Sequence, residues 1–401
     1  MNFQKDVKPT PLIYAFVIPG TFFIFFSLFG FFGELPIMLY VGIFFYFLYF
    51  VAIFYEKHVS DHLVLVNEPK KIRMYPGEEG ELTFTLEQRG LLPIIGAKLI
   101  ITYSQVIDVN RKTFENLDHT AVVEIPITLL SFDRKKIKIP FTAKQRGVCH
   151  IYSIRLNVPN ILGLGTIYLT YGRKYKTEVI VYPLLKRVYG LEMMEPKRNG
   201  EHFSRNSIYE QPILPVGTRN YLAGDPFNRL HWKASAKLGQ LQTKVVEKVN
   251  QLSWLLIINV GQYQSSKIEE NLKHAAFICK YATEYNIPFE IFINIPSKTS
   301  VPFYHLPLGS GKNHYTNALE TLARVNRYGL TMSYSAMLRY IDRANKPPYI
   351  IQIGECNDED IMLFRRWRNQ GHVVYQLNHT DQASLKPLNM DERGEMYGKI
   401  G

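Results

Sequence analysis

Two uncharged apolar stretches at the start of the chain constrain everything after them. Residues 9–33 carry no charged side chain, nor do residues 35–55, and Glu34 alone divides them. About 20 helical residues cross a hydrocarbon core of ~30 Å, so either stretch is long enough. Two transmembrane helices are expected, at about 11–33 and 35–55, joined by a tight turn at Gly33-Glu34-Leu35-Pro36. The first stretch has no small-residue cleavage site and leads straight into the second, unlike a secretion signal. Lys5, Lys8 and Lys57 flank the outer ends, and the turn carries only Glu34. The positive-inside tendency then makes this a multi-pass cell-membrane protein with its N-terminus and soluble domains in the cytoplasm. A formal net charge of +12 suits a surface lying beside an anionic leaflet.

Residues 60–185 change to short alternating runs. Leu63–Val66, Glu81–Leu86, Ala97–Tyr103, Val122–Leu129, Lys136–Thr142, Ile151–Val158, Gly165–Tyr171 and Val179–Tyr182 read as strands. Pro76-Gly77, Arg89-Gly90, Arg146-Gly147 and Asn160 punctuate them. That many short strands without a helical period predict an immunoglobulin-like β-sandwich. The three cysteines, Cys149, Cys279 and Cys356, are odd in number and widely spaced. They suggest neither a disulfide framework nor a zinc site, and fit reduced thiols in a cytoplasm.

Residues 186–250 form a connector followed by the most distinctive segment. The connector is polar and irregular, with Pro196, Gly200, Pro212 and Pro215, and Tyr209, Glu210, Ile213 and Leu214 are candidates to join the packed segment. Gly217 to Glu247 then concentrates Arg219, Tyr221, Gly224, Asp225, Trp232, Lys233 and Ser235. Locally it reads as a turn feeding a helix, with Asp225 as N-cap, Pro226 in the first helical position and Gly239 as the left-handed stop. Leu230, Ala234 and Leu238 would form an apolar line, and Arg229, Lys233 and Lys237 a basic one. Gly224 permits a tight turn, across which Arg219 and Asp225 can pair.

From 251 to 380 strands and helices alternate. Trp254–Val260 is a continuous apolar run, as in a strand buried on both faces. Ile268–Tyr285 has helical spacing, Phe289–Ile295 and Val301–Leu306 read as strands, and helices follow around Ala318–Val325 and Met337–Ile341. Tyr349–Ile353, a helix through Ile361, Phe364 and Trp367, and Val373–Leu377 complete the pattern. Such alternation predicts a parallel sheet covered by helices. Residues 381–401 are polar and read as a flexible tail.

Arg219, Tyr221, Gly224 and Asp225 in R-x-Y-x-x-G-D order, followed by L-H-W-K-A-S-A-K at 230–237, resemble the signature of the domain of unknown function 58 family. Lys144-Gln145-Arg146-Gly147-Val148 is similar to that family's RRG strand entry. Asn160-Ile161-Leu162-Gly163-Leu164 is similar to its D-P-F-G-L turn, with Asn and Ile in place of Asp and Pro. Val181-Tyr182-Pro183 is similar to its V-Y-P strand end. The resemblance implies a multidomain α+β protein: a membrane hairpin, a sandwich and an α/β von Willebrand factor A-like, Rossmann-like domain. It also implies partnership with a cytoplasmic MoxR-type AAA ATPase and a transglutaminase-like membrane protein.

A metal-ion-dependent adhesion site would need D-x-S-x-S after the first α/β strand, because Mg²⁺ takes hard oxygen ligands. Asn259, Gly261 and Tyr263 stand there instead, so a metal-free scaffold is expected. Asp225, His231 and Ser235 tempt a triad, but triad members usually converge from separate elements. Cys279 sits on an apolar helix face, Cys149 and His150 point to opposite sides of a strand, and Cys356 follows a strand end. No Walker A loop, G-x-G-x-x-G or nucleic-acid-binding motif is present, so no cofactor and no nucleic-acid partner are expected.

The expected function is non-enzymatic: a membrane-tethered scaffold or adaptor in envelope-related assembly, with the segment capping an edge of the α/β sheet. Arg219, Tyr221, Gly224, Asp225, Arg229, Trp232, Lys233, Ser235 and Lys237 are the candidate docking residues. Trp232 could equally be core joining the two domains. The alternatives are an envelope hydrolase using Asp225 and His231, and an extracellular adhesin.

Overall fold

The computed structural model describes residues 3–6, 13–28, 35–109, 113–115, 120–163, 165–194, 215–246, 252–261, 265–326, 329–344, 346–379 and 382–388. The chain divides into two units, Met1–Tyr182 and Pro183–Gly401.

The first unit opens with strand β1 (Phe3–Asp6). A π-helical stretch, Ile13–Val17, leads into α1 (Ile18–Leu28), and α2 (Leu35–His58) follows. One described helix, Ile37–His58, is long and apolar enough to cross a membrane, and Ala15–Leu28 is a shorter apolar helix. The first span, expected at 11–33, is therefore described as helix only over 13–28, and Gly33 and Glu34 lie outside the described residues. Leu35 and Pro36 belong to the first turn of α2 and not to a loop, since a first-turn proline forgoes no intrahelical hydrogen bond.

The two helices approach closely at their glycines. A Cβ on Gly42 would lie 2.6 Å from Ile24 Cγ1 and 3.1 Å from the Gly20 carbonyl oxygen. Small residues allow such close approach of helix backbones. Stacked rings of Phe23 and Phe45, 5.9 Å apart, flank the crossing. Gly42→Leu is expected to prise the pair apart. A Phe23→Cys/Phe45→Cys pair should be bridged by a short bis-maleimide, and should lose most of that bridging when Gly42→Leu is added.

Twelve further strands complete the unit. They are β2 (Leu63–Val66), β3 (Lys71–Met74), β4 (Glu79–Gln88), β5 (Ile94–Ser104), β6 (Ile107–Val109) and β7 (Thr113–Glu115), then β8 (Thr120–Leu129), β9 (Arg134–Ala143), β10 (Gly147–Cys149), β11 (Ile151–Pro159), β12 (Thr166–Tyr171) and β13 (Glu178–Val181). One sheet runs β1-β12-β11-β5-β8-β7, a second β2-β4-β9-β6, and a small third β10-β13-β3. Every strand expected from alternation is present. Leu82, Phe84 and Leu86 of β4 turn inward with Leu99, Ile101 and Tyr103 of β5 and Ile154, Leu156 and Val158 of β11, forming one core between the sheets. The outcome is a β-sandwich.

Strands β1, β3, β6, β7 and β10 were not among those expected, and of these β1 pairs antiparallel with β12 from Phe3↔Tyr171 to Asp6↔Tyr168. Its four residues extend the sheet beyond β12 and pack Phe3 against Tyr171. Only residues 59–62 separate α2 from β2, and this junction is tied down. Tyr55 Oη donates to the Pro93 carbonyl at 2.8 Å, and Gln88 Nε2 donates to the Leu92 carbonyl at 2.6 Å.

In the second unit, β14 (Pro215–Asn220), α3 (Trp232–Leu238) and β15 (Gln242–Val246) precede the α/β part. That part runs β16 (Trp254–Ile258), α4 (Ser265–Glu284), β17 (Phe289–Pro296), β18 (Phe303–Gly309), α5 (Gly311–Ala323), α6 (Tyr334–Asp342), β19 (Tyr349–Ile353), α7 (Asp358–Asn369), β20 (Val373–His379) and β21 (Ala383–Pro387). The sheet order is β18-β17-β16-β19-β20-β21. The four central strands are parallel, whereas β18 and β21 fold back antiparallel onto the edges. The sheet is thus mixed, not wholly parallel, because short connections join the edge strands to their neighbours.

β21 corrects the expected tail at 381–401 over residues 382–388, and residues 389–401 lie outside the described residues. Leu385 and Leu388 are buried, and Tyr189 exchanges backbone hydrogen bonds with Ala383 and Leu385. Two leucines at core positions outweighed the polar composition around them. The connector is anchored as well, through an ion pair of Lys186 with Glu270 on α4. Residues 195–214, with Tyr209, Glu210, Ile213 and Leu214, lie outside the described residues.

Candidate functional site

The distinctive segment folds as a small module: β14 and β15 pair antiparallel, and α3 lies in the connection between them. Among the described residues these strands pair only with each other and, through a bridge to Leu230, with their own connection. The segment therefore does not extend the six-stranded sheet. An isolated two-stranded ribbon is marginal in water, so what holds this one must be found in its side chains.

Asp225 is the first part of the answer. Its Oδ1 accepts from Arg219 Nη2 at 2.7 Å, and its Oδ2 accepts from the Leu222 amide at 3.1 Å and Thr243 Oγ1 at 3.0 Å. One carboxylate thus joins β14, the turn and β15. The hydrogen bond from Arg219, then that from the Leu222 amide, holds its pKa below the usual carboxylate range. The Arg219–Asp225 pairing matches expectation. The expected N-cap role does not, because Asp225 precedes only a short 3₁₀ turn, Phe227–Arg229, and the α-helix starts at Trp232.

The cap is His231. Its Nδ1 accepts from the Ala234 amide at 3.1 Å, which requires that nitrogen to be unprotonated. Ser235 Oγ donates to the His231 carbonyl at 3.1 Å and accepts from the Gln242 amide at 2.8 Å. Gln242, itself buried, donates through Nε2 to Asn220 Oδ1 at 2.6 Å. The helix ends at Gly239 in the left-handed conformation, as expected, with φ 67°, and Gly224 turns with φ 114°. His231 was foreseen only as a hydrolase candidate and not as a cap, and Thr243 and Gln242 were not foreseen. Histidine is a poor cap signal, and Thr243 meets Asp225 only after the chain has returned along β15.

The apolar line expected on one helix face does not form. Leu230 is buried but lies ahead of the helix, and Leu238 is exposed. Trp232, weighed as a core residue, is 67% exposed, and Phe227 and Leu222 are similarly open. Tyr221 is half-buried, with its ring 5.9 Å from that of Phe227. Lys233 and Lys237 are exposed and Arg229 is half-buried. Residues 215–246 hold Arg219, Arg229, Lys233, Lys237 and Lys244 against the single acid Asp225, so the module is strongly basic. It is held internally by polar contacts, while Leu222, Phe227, Trp232, Lys233 and Lys237 face outward.

At the switch point of the α/β sheet β16 and β19 lie side by side, and in such sheets ligands usually enter beyond the strand ends. Asn294 Oδ1 accepts from the Val260 amide at 2.6 Å. Its Nδ2 donates to the Met332 carbonyl at 3.1 Å and to Asn259 Oδ1 at 2.9 Å. Asn259 Nδ2 in turn donates to the Glu355 carbonyl at 2.7 Å. The backbone partners fix both amide orientations, since an N–H can only donate and a C=O can only accept. At Asn259, the position where a metal ligand would stand, both polar side-chain atoms are engaged within the protein. Tyr263 lies outside the described residues, and among those described no cluster of His, Cys, Asp or Glu is placed to hold a metal ion.

The cysteines are quiet. Cys149 and Cys279 are buried, and burial pushes the Cys149 thiol up to about 12. Cys356 is half-buried, and burial together with nearby Asp360 raises its thiol to about 12 as well. All three are protonated at neutral pH.

The fold and module define a two-unit α+β protein: apolar helices joined to a β-sandwich, then a doubly wound α/β sheet preceded by a basic ribbon–helix module. No family model matches the chain. It is similar to the uncharacterized protein YeaD of Bacillus subtilis (strain 168), with 24% identity over 301 residues, 75% of this chain and 69% of that protein. Solved structures that share some likeness include PapD-like domain 7 of human CEP192, at 16% identity, over 30% of this chain and 84% of that one, with a TM-score of 0.18. A non-cellulosomal cohesin from Archaeoglobus fulgidus is similar at 11% identity, over 30% of this chain and 90% of that one, with a TM-score of 0.20. Structural likenesses this slight carry no weight for function.

Proposed function

We propose that this chain is a membrane-anchored scaffold or adaptor of the domain of unknown function 58 type, working with a MoxR-type AAA ATPase in envelope-related assembly. The observation that carries the proposal is the 215–246 module. Its polar groups are spent on holding its own fold, while Trp232, Phe227, Leu222, Lys233 and Lys237 face outward. Aromatic and cationic side chains of this kind dominate interface energetics. The α/β unit, in this reading, is a metal-free von Willebrand factor A-like support, and a transglutaminase-like membrane protein is a further partner.

The membrane placement draws support from β1. Because Phe3–Asp6 is a strand of the sandwich, the chain leaves and returns on one side, and in this reading the number of bilayer crossings is even. Two spans, one in each apolar stretch, satisfy that requirement, and Lys5 and Lys57 at the outer ends favour the cytoplasmic side. The hydrolase alternative is less well supported. Asp225 is committed to Arg219, Leu222 and Thr243, and the His231 nitrogen facing the helix is committed to the Ala234 amide.

The test is mild crosslinking of the tagged full chain in its own membranes, comparing wild type with Lys233→Glu. Reversing one exposed charge should leave the fold intact and reduce recovery of the ATPase at least several-fold. Undiminished recovery with the mutant, or absence of any ATPase with wild type, would overturn the proposal.

A further inference from the structure

We infer that the end of the β-sandwich next to the helices is itself seated in the membrane interface, through a collar of apolar loop tips. Among the described residues 59–182, the exposed large apolar side chains are Leu91, Ile95, Leu130, Phe132, Tyr152 and Ile161. Tyr152 alone lies at the far end. The others lie in three connections, far apart in sequence, or, for Ile95, at the start of β5, and all meet where α2 enters the sandwich.

The strand registers establish that meeting. Leu63, just after α2, pairs with Gln88, whose amide donates to the Asp133 carbonyl, so the 130–133 turn adjoins the helix exit. Ile94 pairs with Leu129, which brings Ile95 and Leu130 to the same end. Pro159 pairs with Thr166, and the 160–163 turn beyond it sends Leu162 against the helix cluster around Phe16 and Ala52. Gln88 Nε2 joins the Leu92 carbonyl to that of Val59, binding the 89–93 loop to the chain leaving α2. The collar is thus continuous with the helices.

Phe132 is the telling member. It is 68% exposed and has φ 59°, a left-handed conformation that so large a side chain rarely adopts. The turn is not loose: the Phe132 amide donates to the Gly90 carbonyl, and Ser131 Oγ donates to the Leu91 carbonyl. A strained backbone that holds an aromatic ring out into water is unfavourable twice over. Both features make sense if the ring enters the headgroup–acyl boundary, where Phe, Leu and Ile side chains are favoured. A fixed collar would set the sandwich upright on the bilayer, where a tether alone would let it swing.

The inference rests on the helices being membrane-spanning, so the test separates the two. In the full chain with Cys356→Ser, single cysteines at Phe132, Leu91, Tyr152 and Phe47 of α2 would carry an environment-sensitive fluorophore. The protein is placed in phosphatidylglycerol-containing nanodiscs with lipids spin-labelled high on the acyl chain. Probes at 132 and 91 should be quenched several-fold more than the probe at 152, and the Phe47 probe should also be quenched. Quenching at 47 with 132 and 91 no different from 152 would overturn the collar while leaving the helices in the bilayer. No quenching at 47 would overturn both.

Discussion

Asn294→Ala is expected to destabilise the second unit by about 4 kcal/mol. One side chain satisfies the Val260 amide, the Met332 carbonyl and Asn259 Oδ1, at a site where Asn259, Val260 and Asn294 are all nearly excluded from water. Stranding a buried donor or acceptor costs about 1–3 kcal/mol, and alanine strands three while offering nothing in return. For a unit of this size that corresponds to a melting temperature lower by about 10 °C. Hydrogen exchange on the full chain reads the same loss as faster exchange of β16 and β17 amides, with the sandwich unaffected. Asn294→Asp separates hydrogen bonding from packing. It retains the acceptor for Val260 but presents oxygen to Met332 and Asn259, so it should be at least as damaging at neutral pH. Added Mg²⁺ should not rescue it. A loss below 1 kcal/mol for Asn294→Ala would mean that the amide pair does not close the switch point.

That pair also marks the limit of what the sequence discloses. Asn259 was visible as the wrong residue for a metal ligand, but nothing near it in sequence points to Asn294 or to the backbone carbonyls on either side. Strand and helix positions were legible because their signals are local. Alternation in Leu82–Leu86 and the unbroken Trp254–Ile258 run each state their own environment. What escaped depends on pairing. β1 is four residues that become a strand only by finding Tyr168–Tyr171, and β21 was hidden in a polar tail until Leu385 met the sheet. At the module, Asp225-Pro226 reads as a helix start, yet three donors from elsewhere in the module claim the carboxylate, and the helix begins one turn of chain later under His231. The collar is the extreme case, since its members lie in three connections and at the start of β5, and only the fold brings them to one end.

Asp225→Ala and Trp232→Ala should both lose the partner, but only the first should open the module, and that contrast bears most directly on function. Without the carboxylate, Arg219, the Leu222 amide and Thr243 lose their common partner, and the remaining Ser235–Gln242–Asn220 contacts do not tie the turn to β15 at Thr243. Amide protection across 215–246 should collapse towards that of an open segment while β16 to β20 keep theirs, and partner recovery should fall at least tenfold. The same loss can be approached by acid. The native carboxyl titrates below its unfolded value, so the stability it contributes is complete above the unfolded pKa and is lost as pH falls through the folded one. Exchange in the module should therefore accelerate below the ordinary carboxylate range in wild type, once corrected for intrinsic rates, and show no such extra step in the alanine variant. Trp232, by contrast, is mostly exposed and supports no part of the ribbon that its contacts reveal. Its removal should leave protection and the acid step unchanged and still weaken partner recovery at least tenfold. If Trp232→Ala instead unfolds the module, the tryptophan is core after all and the surface assigned to docking is wrong. If both variants fold and bind as wild type does, the module is an ornament of the connector and the partner contact lies elsewhere.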